Sequence, residues 1–176
     1  MRAADAEDFT VFVHARSAAL FRTALLLTGD RDRADDLVQA TLEKVCRQWR
    51  KVAAADAPEA YARRMLVNLA RDGWRRQSRR AEPLPLRADP APPVDDPAGR
   101  IAQRDELLRA LRRLPAGMRA VLVLRYFDDM PDESIADLMG VAPATVRSQA
   151  ARGLAKLREA ARDDADVLRP DFGGAA

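Results

Sequence analysis

Cysteine and histidine occur once each in the 176 residues, as Cys46 and His14. A single cysteine excludes an internal disulfide and any cysteine-rich metal site. His14 lies among apolar residues of the first helical pattern, where a packed or half-exposed helix position explains it better than ligation does. There is no glycine-rich phosphate loop, and no Ser/His/Asp or Cys/His arrangement. The expectation is therefore a protein that is not an enzyme, holds no metal and needs no cofactor. Long apolar runs are missing too. Stretches such as "ALLL" at 24–27 fall far short of the ~20 residues that span a bilayer. The N-terminus "MRAADAED" lacks the basic-then-apolar order of a signal peptide. A cytoplasmic chain without membrane insertion is expected.

Charge is abundant instead. Charged residues make up 32% of the chain, hydrophobic ones 48%, and the net charge is only +3. The balance is uneven: residues 59–80 hold seven arginines against Glu59 and Asp72, whereas the stretch from 159 onward is acidic. Clustered arginine suits a polyanionic partner, although a solvated basic helix face has the same composition.

Proline divides the chain. Six of its eleven prolines fall in "PLPLRADPAPPVDDP", residues 83–97. Each removes a backbone donor and restricts the residue before it, so this stretch reads as an extended, semi-rigid linker. Both flanks read as helix and no strand-like alternation persists. The fold class is all-α: two small helical domains, residues 1–80 and 101–169, joined by a proline-rich linker at 81–100 and followed by a tail at 170–176.

In the first domain Phe9, Val13, Leu20, Phe21, Ala24 and Leu25 form an amphipathic pattern that stops at "TGD". Ala34, Leu37, Val38, Thr41, Leu42, Val45 and Trp49 then recur at helical spacing. After the loop "RKVAAADAP", Pro58 opens a third helix on which Tyr61, Met65, Leu66 and Leu69 face one way and the arginines populate the rest. Trp49 is expected in the core, while Trp74, flanked by arginines, suits either core or base stacking.

The second domain reads as helices at "IAQRDELLRALRRL" and "AGMRAVLVLRYF", then a short helix from "PDESIADLM", a turn at Gly140 and a basic helix. In the frame from Asp132, a small residue (Ala136), a turn (Gly140) and a core residue (Val146) fall where a helix-turn-helix needs them. The last helix, in "VAPATVRSQAARGLAKLR", carries four basic side chains and no acid. At about 100° per residue, Val146, Ala150, Gly153, Leu154 and Leu157 share one side. Ala144, Thr145, Ser148, Ala151 and Arg152 lie opposite, with Arg147 and Gln149 at the margins. Small residues let such a helix sink into a groove, and the polar ones supply donors and acceptors for base edges or phosphates. The plain alternative is a small-residue face packed on another helix; the helix-turn-helix frame weighs against it.

The segment "LPAGMRAVLVLRYFDDMPDESIADLMGVAPATVRSQAARGLAKLR" resembles the –35-reading domain of bacterial sigma-70 factors, in the small extracytoplasmic-function group. "DRADDLVQATLEKVCRQW" is similar to the helix by which these factors grip polymerase, and "YARRMLVNLARDGWRRQSRR" to the helix laid along the –10 element. "PEAYARRMLVN" and its arginine-rich continuation look most like the actinobacterial branch. The chain departs from the family pattern at Ala142, where a serine is usual, and in "ATVRSQ".

The resemblance implies a sigma factor that binds core RNA polymerase and promoter DNA, with an anti-sigma protein as a further partner. It implies that Asp35, Asp36, Leu37 and Gln39 dock on the clamp helices of the largest subunit, with the flap as a second polymerase contact. Arg63, Arg64, Asn68, Arg71, Arg75 and Arg76 would engage the –10 element. Ala144, Thr145, Arg147, Ser148, Gln149 and Arg152 would read the –35 element. Because the loop "KVAAADA" is poor in aromatics, an unstacked base would meet backbone and small residues there. Two rival functions are a stand-alone helix-turn-helix regulator and a helical adaptor with no nucleic-acid role.

Overall fold

A computed structural model describes residues 3–80 and 98–167. Among them there are eight helices and no strand: α1 (Ala3–Thr28), α2 (Arg31–Arg47), α3 (Trp49–Ala53), α4 (Pro58–Arg80), α5 (Ala98–Arg112), α6 (Ala116–Tyr126), α7 (Asp132–Met139) and α8 (Pro143–Val167). The proline-rich stretch, apart from the last positions of the expected linker, which already belong to α5, lies outside the described residues, as does the tail.

The triplet "TGD" is both a stop and a start. Gly29 takes the left-handed conformation (φ +69°), open to glycine without steric cost, and its N–H donates to Leu25 O at 2.7 Å. Asp30 then caps α2, accepting from the Arg33 N–H at 2.9 Å. With so short a connection α1 and α2 fold back on one another, and α4 packs against both. Ala24, Leu27, Ala34, Val45, Ala62, Leu66 and Val67 are fully buried between them.

One boundary differs from the sequence expectation. The helix expected to reach Trp49 breaks at Gln48, and α3 follows, so residues 50–53, expected as the start of a loop, are helical. The break turns the Trp49 ring onto Phe9 and Phe12 of α1, with centroids 5.3 and 5.2 Å apart. Val52 is buried behind it. Trp49 is thus core as expected, and Trp74 is partly buried against the same core.

By length and composition alone, Asp5–Thr28 of α1 is long and apolar enough to cross a membrane, although charged residues interrupt its apolar runs. In this fold Leu20, Ala24, Leu25 and Leu27 of that helix are buried within the protein core.

In the second half α6 is the central helix. Ala120 through Leu124 are all buried, against α8 and α7. The two halves do not stand apart: α1 packs on α5 and α6, and α4 on α7. That packing is not foreseeable from the sequence, which offers a tether and two amphipathic sets but no seam.

Candidate nucleic-acid interface

The helix-turn-helix forms as its residues require. Pro131 precedes α7, and Asp132 and Glu133 in the first turn complement the positive end of the helix dipole. Asp132 also pairs with Arg125 of α6 at 3.4 Å. Ile135, Ala136, Leu138 and Met139 are buried. Gly140 ends the helix in the left-handed region (φ +66°), and Val141 N donates to Ala136 O at 3.0 Å, a compact helix stop. Ala142 has no side-chain oxygen to cap α8, but its carbonyl accepts from Thr145 N and Val146 N at 2.8 and 3.2 Å.

On α8 the inner stripe is where periodicity puts it. Val146, Ala150 and Gly153 are buried, with Leu154 and Leu157 partly so. Of the outer residues Ala144, Arg147, Ser148, Ala151 and Arg152 are exposed, and Thr145 and Gln149 are half-buried. Ser148 and Arg152 act as a pair. The Ser148 hydroxyl donates to Thr145 O at 3.0 Å, while Arg152 donates from Nε to Ser148 O (3.2 Å) and from Nη2 to Ser148 Oγ (3.3 Å). Arg147 extends from the helix with no such internal bond among the described residues. A face with small residues, one free guanidinium and one folded-back guanidinium can enter a groove and bond to bases or phosphates.

The arginine helix α4 is arranged less simply. Arg64, Arg75 and Arg76 lie exposed on its outer side, and Asn68 is half-buried. Arg63 and Arg71 face the second half instead. Arg63 Nε lies 3.7 Å from Asp128 Oδ1, and Arg71 Nη1 donates to Leu138 O at 2.7 Å. The six residues expected at the –10 element are therefore divided: three are turned to solvent, two are engaged inside the chain, and Asn68 is half-buried. Between α4 and α7 runs a cleft of about 360 Å³, walled by Ala57, Ala60, Tyr61, Arg63 and Arg64 on one side and by Met130, Ser134, Asp137 and Leu138 on the other.

On α2, Asp35, Asp36 and Gln39 share the outer side, and Gln39 Nε2 reaches Glu43 Oε1 at 3.4 Å. Leu37 turns partly into the core, so the surface they present is more polar than the sequence alone suggests.

Two residues at the seam are missed by sequence reasoning. Thr23 sits in the buried register of α1, and its hydroxyl donates to Asp128 Oδ1 at 3.0 Å. Burial raises the Asp128 pKa above the usual carboxylate value, and this outweighs the opposing effects of Arg63 and the Thr23 hydrogen bond. Arg119, whose Nη1 donates to Thr28 O at 3.4 Å, is pushed the other way, first by burial and then by the charges of Arg112 and Arg33. A threonine in an apolar register signals that a buried hydroxyl needs a partner, but nothing in the sequence says which.

Two family models match the chain: "Sigma-70 region 2" over residues 12–80 and "Sigma-70, region 4" over residues 104–157. It is 35% identical to the RNA polymerase sigma-E factor of Streptomyces coelicolor over 164 residues, 92% of each protein. It is 34% identical to the ECF RNA polymerase sigma factor SigE of Mycolicibacterium smegmatis, covering 80% of this chain and 56% of that one. Among solved structures, the sigma factor RpoE of Bartonella quintana, in complex with the anti-sigma factor NepR, shares the fold. Its TM-score is 0.69 at 23% identity, covering 89% of this chain and 98% of the other.

Proposed function

The chain belongs to the sigma-70 family, within its extracytoplasmic-function group, and from that membership we infer that it is an RNA polymerase sigma factor. It binds core RNA polymerase and promoter DNA and directs transcription initiation. Its work is recognition and positioning, with the chemistry left to the polymerase, and it acts in the cytoplasm. An anti-sigma protein is the third partner in this reading.

The division of labour follows the two halves. Residues 1–80 grip the polymerase through Asp35, Asp36, Leu37 and Gln39 of α2, and engage the –10 element through Arg63, Arg64, Asn68, Arg71, Arg75 and Arg76 of α4. Residues 101–169 read the –35 element through Ala144, Thr145, Arg147, Ser148, Gln149 and Arg152 of α8. Residues 81–100 connect them. The observation that carries this assignment is the outer face of α8, small and polar residues with exposed Arg147 and Arg152, standing directly after the Gly140 turn. Arginines on phosphates give salt-dependent affinity, and bidentate contacts to guanine give sequence.

Selection of promoter DNA with reconstituted polymerase tests it. The chain plus core should enrich two separated elements, and neither component alone should do so. Enrichment of a single compact site by the chain alone would instead identify a stand-alone regulator.

A further inference from the structure

Gly29, in the left-handed turn between α1 and α2, lies beneath the Arg112 side chain of α5. A β-carbon at 29 would stand 2.4 Å from Arg112 Cγ and 3.0 Å from its Nε, so the bare glycine leaves the path along which this side chain runs. Beside it, Arg119 of α6 donates from Nη1 to the Thr28 carbonyl at 3.4 Å, a long hydrogen bond. Arg33, in the first turn of α2, adds a third guanidinium, whose charge Arg119 feels together with that of Arg112. Arg112 and Arg119 are half-buried and Arg33 is exposed, so the cluster meets solvent on the Arg33 side.

Among the described residues no carboxylate forms an ion pair with any of the three. The neighbouring acid Asp30 is turned instead to the Arg33 backbone N–H, which it accepts at 2.9 Å as the cap of α2. The Nε atoms of Arg112 and Arg119 are buried with no hydrogen-bond partner among the described residues. A guanidinium keeps its charge in proteins, so neither the repulsion nor the burial is relieved by losing a proton, as it can be for lysine. Relief has to come from an acceptor. Each partnerless Nε is half of the edge through which arginine grips an oxyanion with two parallel bonds. Three such forks outnumber the two oxygens of a carboxylate. A phosphate group, with several free oxygens and a charge of about −1.5 to −2 near pH 7, can accept from all of them.

We propose that Arg33, Arg112 and Arg119 form a binding site for a phosphate group, carried by inorganic phosphate or by a nucleotide, at the corner where α1 turns into α2. None of the three belongs to the promoter-reading or polymerase-gripping sets, so the site is separate from both. In the occupied site the forks of Arg112 and Arg119 turn to the anion from within the fold, and Arg33 closes on it from the solvent side.

The test uses the full-length chain with Arg33→Gln, Arg112→Gln and, as a control on exposed charge outside the corner, Lys156→Gln. Each is titrated at constant ionic strength with sodium phosphate and, separately, with adenosine triphosphate. Melting temperature and the Nε–Hε resonances of the arginines are recorded. Phosphate about a hundredfold above its Kd should raise the wild-type melting temperature by about 5–10 °C and shift the Arg112 and Arg119 Nε–Hε signals. Arg33→Gln and Arg112→Gln should each weaken binding by about tenfold, the loss of one charge-assisted hydrogen bond, and Lys156→Gln should match wild type. Arg33 is exposed, so its variant keeps the test alive if Arg112→Gln does not fold. Equal affinity for the two probes would identify recognition of the phosphate alone, and tighter binding of adenosine triphosphate would identify a nucleotide; both support the site. Excluded-ion stabilisation acts on every variant alike. A rise in melting temperature that is the same in all four chains, or no shift of the two Nε–Hε signals with either probe, would overturn the proposal.

Discussion

Gly153 of α8 faces Leu122 of α6 so closely that a β-carbon at 153 would stand 2.8 Å from Leu122 Cδ1 and 3.0 Å from Met118 Cγ. The glycine sets how near the recognition helix lies to the central helix of its half, and hence how the outer face of α8 is presented. Gly153→Val should overpack this contact and lower stability by about 1–3 kcal/mol. Gly153→Ala should cost less, because the gain of ~1 kcal/mol in helix propensity offsets part of the clash. Urea denaturation of both variants checks the order; a valine variant as stable as wild type would show that the two helices can move apart freely.

Arg147 and Arg152 should not behave alike. Arg147→Ala should weaken –35 binding by about 1–3 kcal/mol if the side chain makes a bidentate base contact, and mainly at one base pair. A phosphate contact would lower affinity evenly across sequences and reduce the salt slope by about one. Arg152→Ala also removes two bonds to Ser148, freeing that residue, so its effect should combine lost affinity with altered sequence preference. Competition binding of each variant against single-base changes in the –35 element separates these outcomes. Wild-type transcription from a –35-dependent promoter by both variants would show that α8 does not enter the groove.

The α8 face is legible in the sequence because one helix writes it: the spacing of Val146, Ala150 and Gly153 fixes the inner side and thereby the outer one. The same holds for the "TGD" stop, where Gly29 and Asp30 act within their own turn. Trp49 shows how far periodicity reaches, since its burial is legible but the helix break at Gln48 that aims it at Phe9 is not. The seam cannot be read at all. Thr23 and Asp128 are 105 residues apart, and Leu138 contributes only a backbone carbonyl, which any residue would carry. Arg63 and Arg71 look alike in sequence to Arg64 and Arg75, and only the packing of α7 against α4 distinguishes them.

Reversing Asp35 and Asp36 to lysine should abolish association with core polymerase while leaving the helices intact. Both carboxylates are exposed on the outer face of α2, away from its buried residues Ala34, Val38, Thr41 and Val45. The charge change is therefore felt mainly by a partner. Circular dichroism and a pull-down on the same preparation give the answer, and a folded variant that still captures core would remove α2 from the docking surface.

Asp128 makes a prediction in pH. Its folded pKa is raised, so the native state holds this proton more tightly than the unfolded chain does. Stability linked to this group therefore rises as pH falls through the folded pKa, and levels off below the unfolded one. At neutral pH the buried charge is a net penalty despite Arg63. Asp128→Asn keeps an oxygen for the Thr23 hydroxyl and removes the charge, so its melting temperature should exceed that of wild type at pH 7. The difference should shrink as the pH is lowered into the carboxylate range. A lower melting temperature at pH 7 would mean that the ion pair with Arg63 outweighs burial.

Promoter opening should require the chain and core polymerase together. In the proposed assignment the α4 and α8 faces meet elements far apart on the duplex, and in the chain alone α4 is drawn against α7 by Arg71 and against the Asp128 turn by Arg63. One set of contacts is thus partly occupied within the chain itself. A large scaffold that binds each half would make two weak contacts act at high effective concentration. Permanganate footprinting with chain alone, core alone and both together is the direct measurement. Reactive thymines at the –10 element should appear only with both. Reactivity with the chain alone would show that the arginines of α4 reach DNA without help, and strong protection of one compact duplex site would favour a self-sufficient regulator.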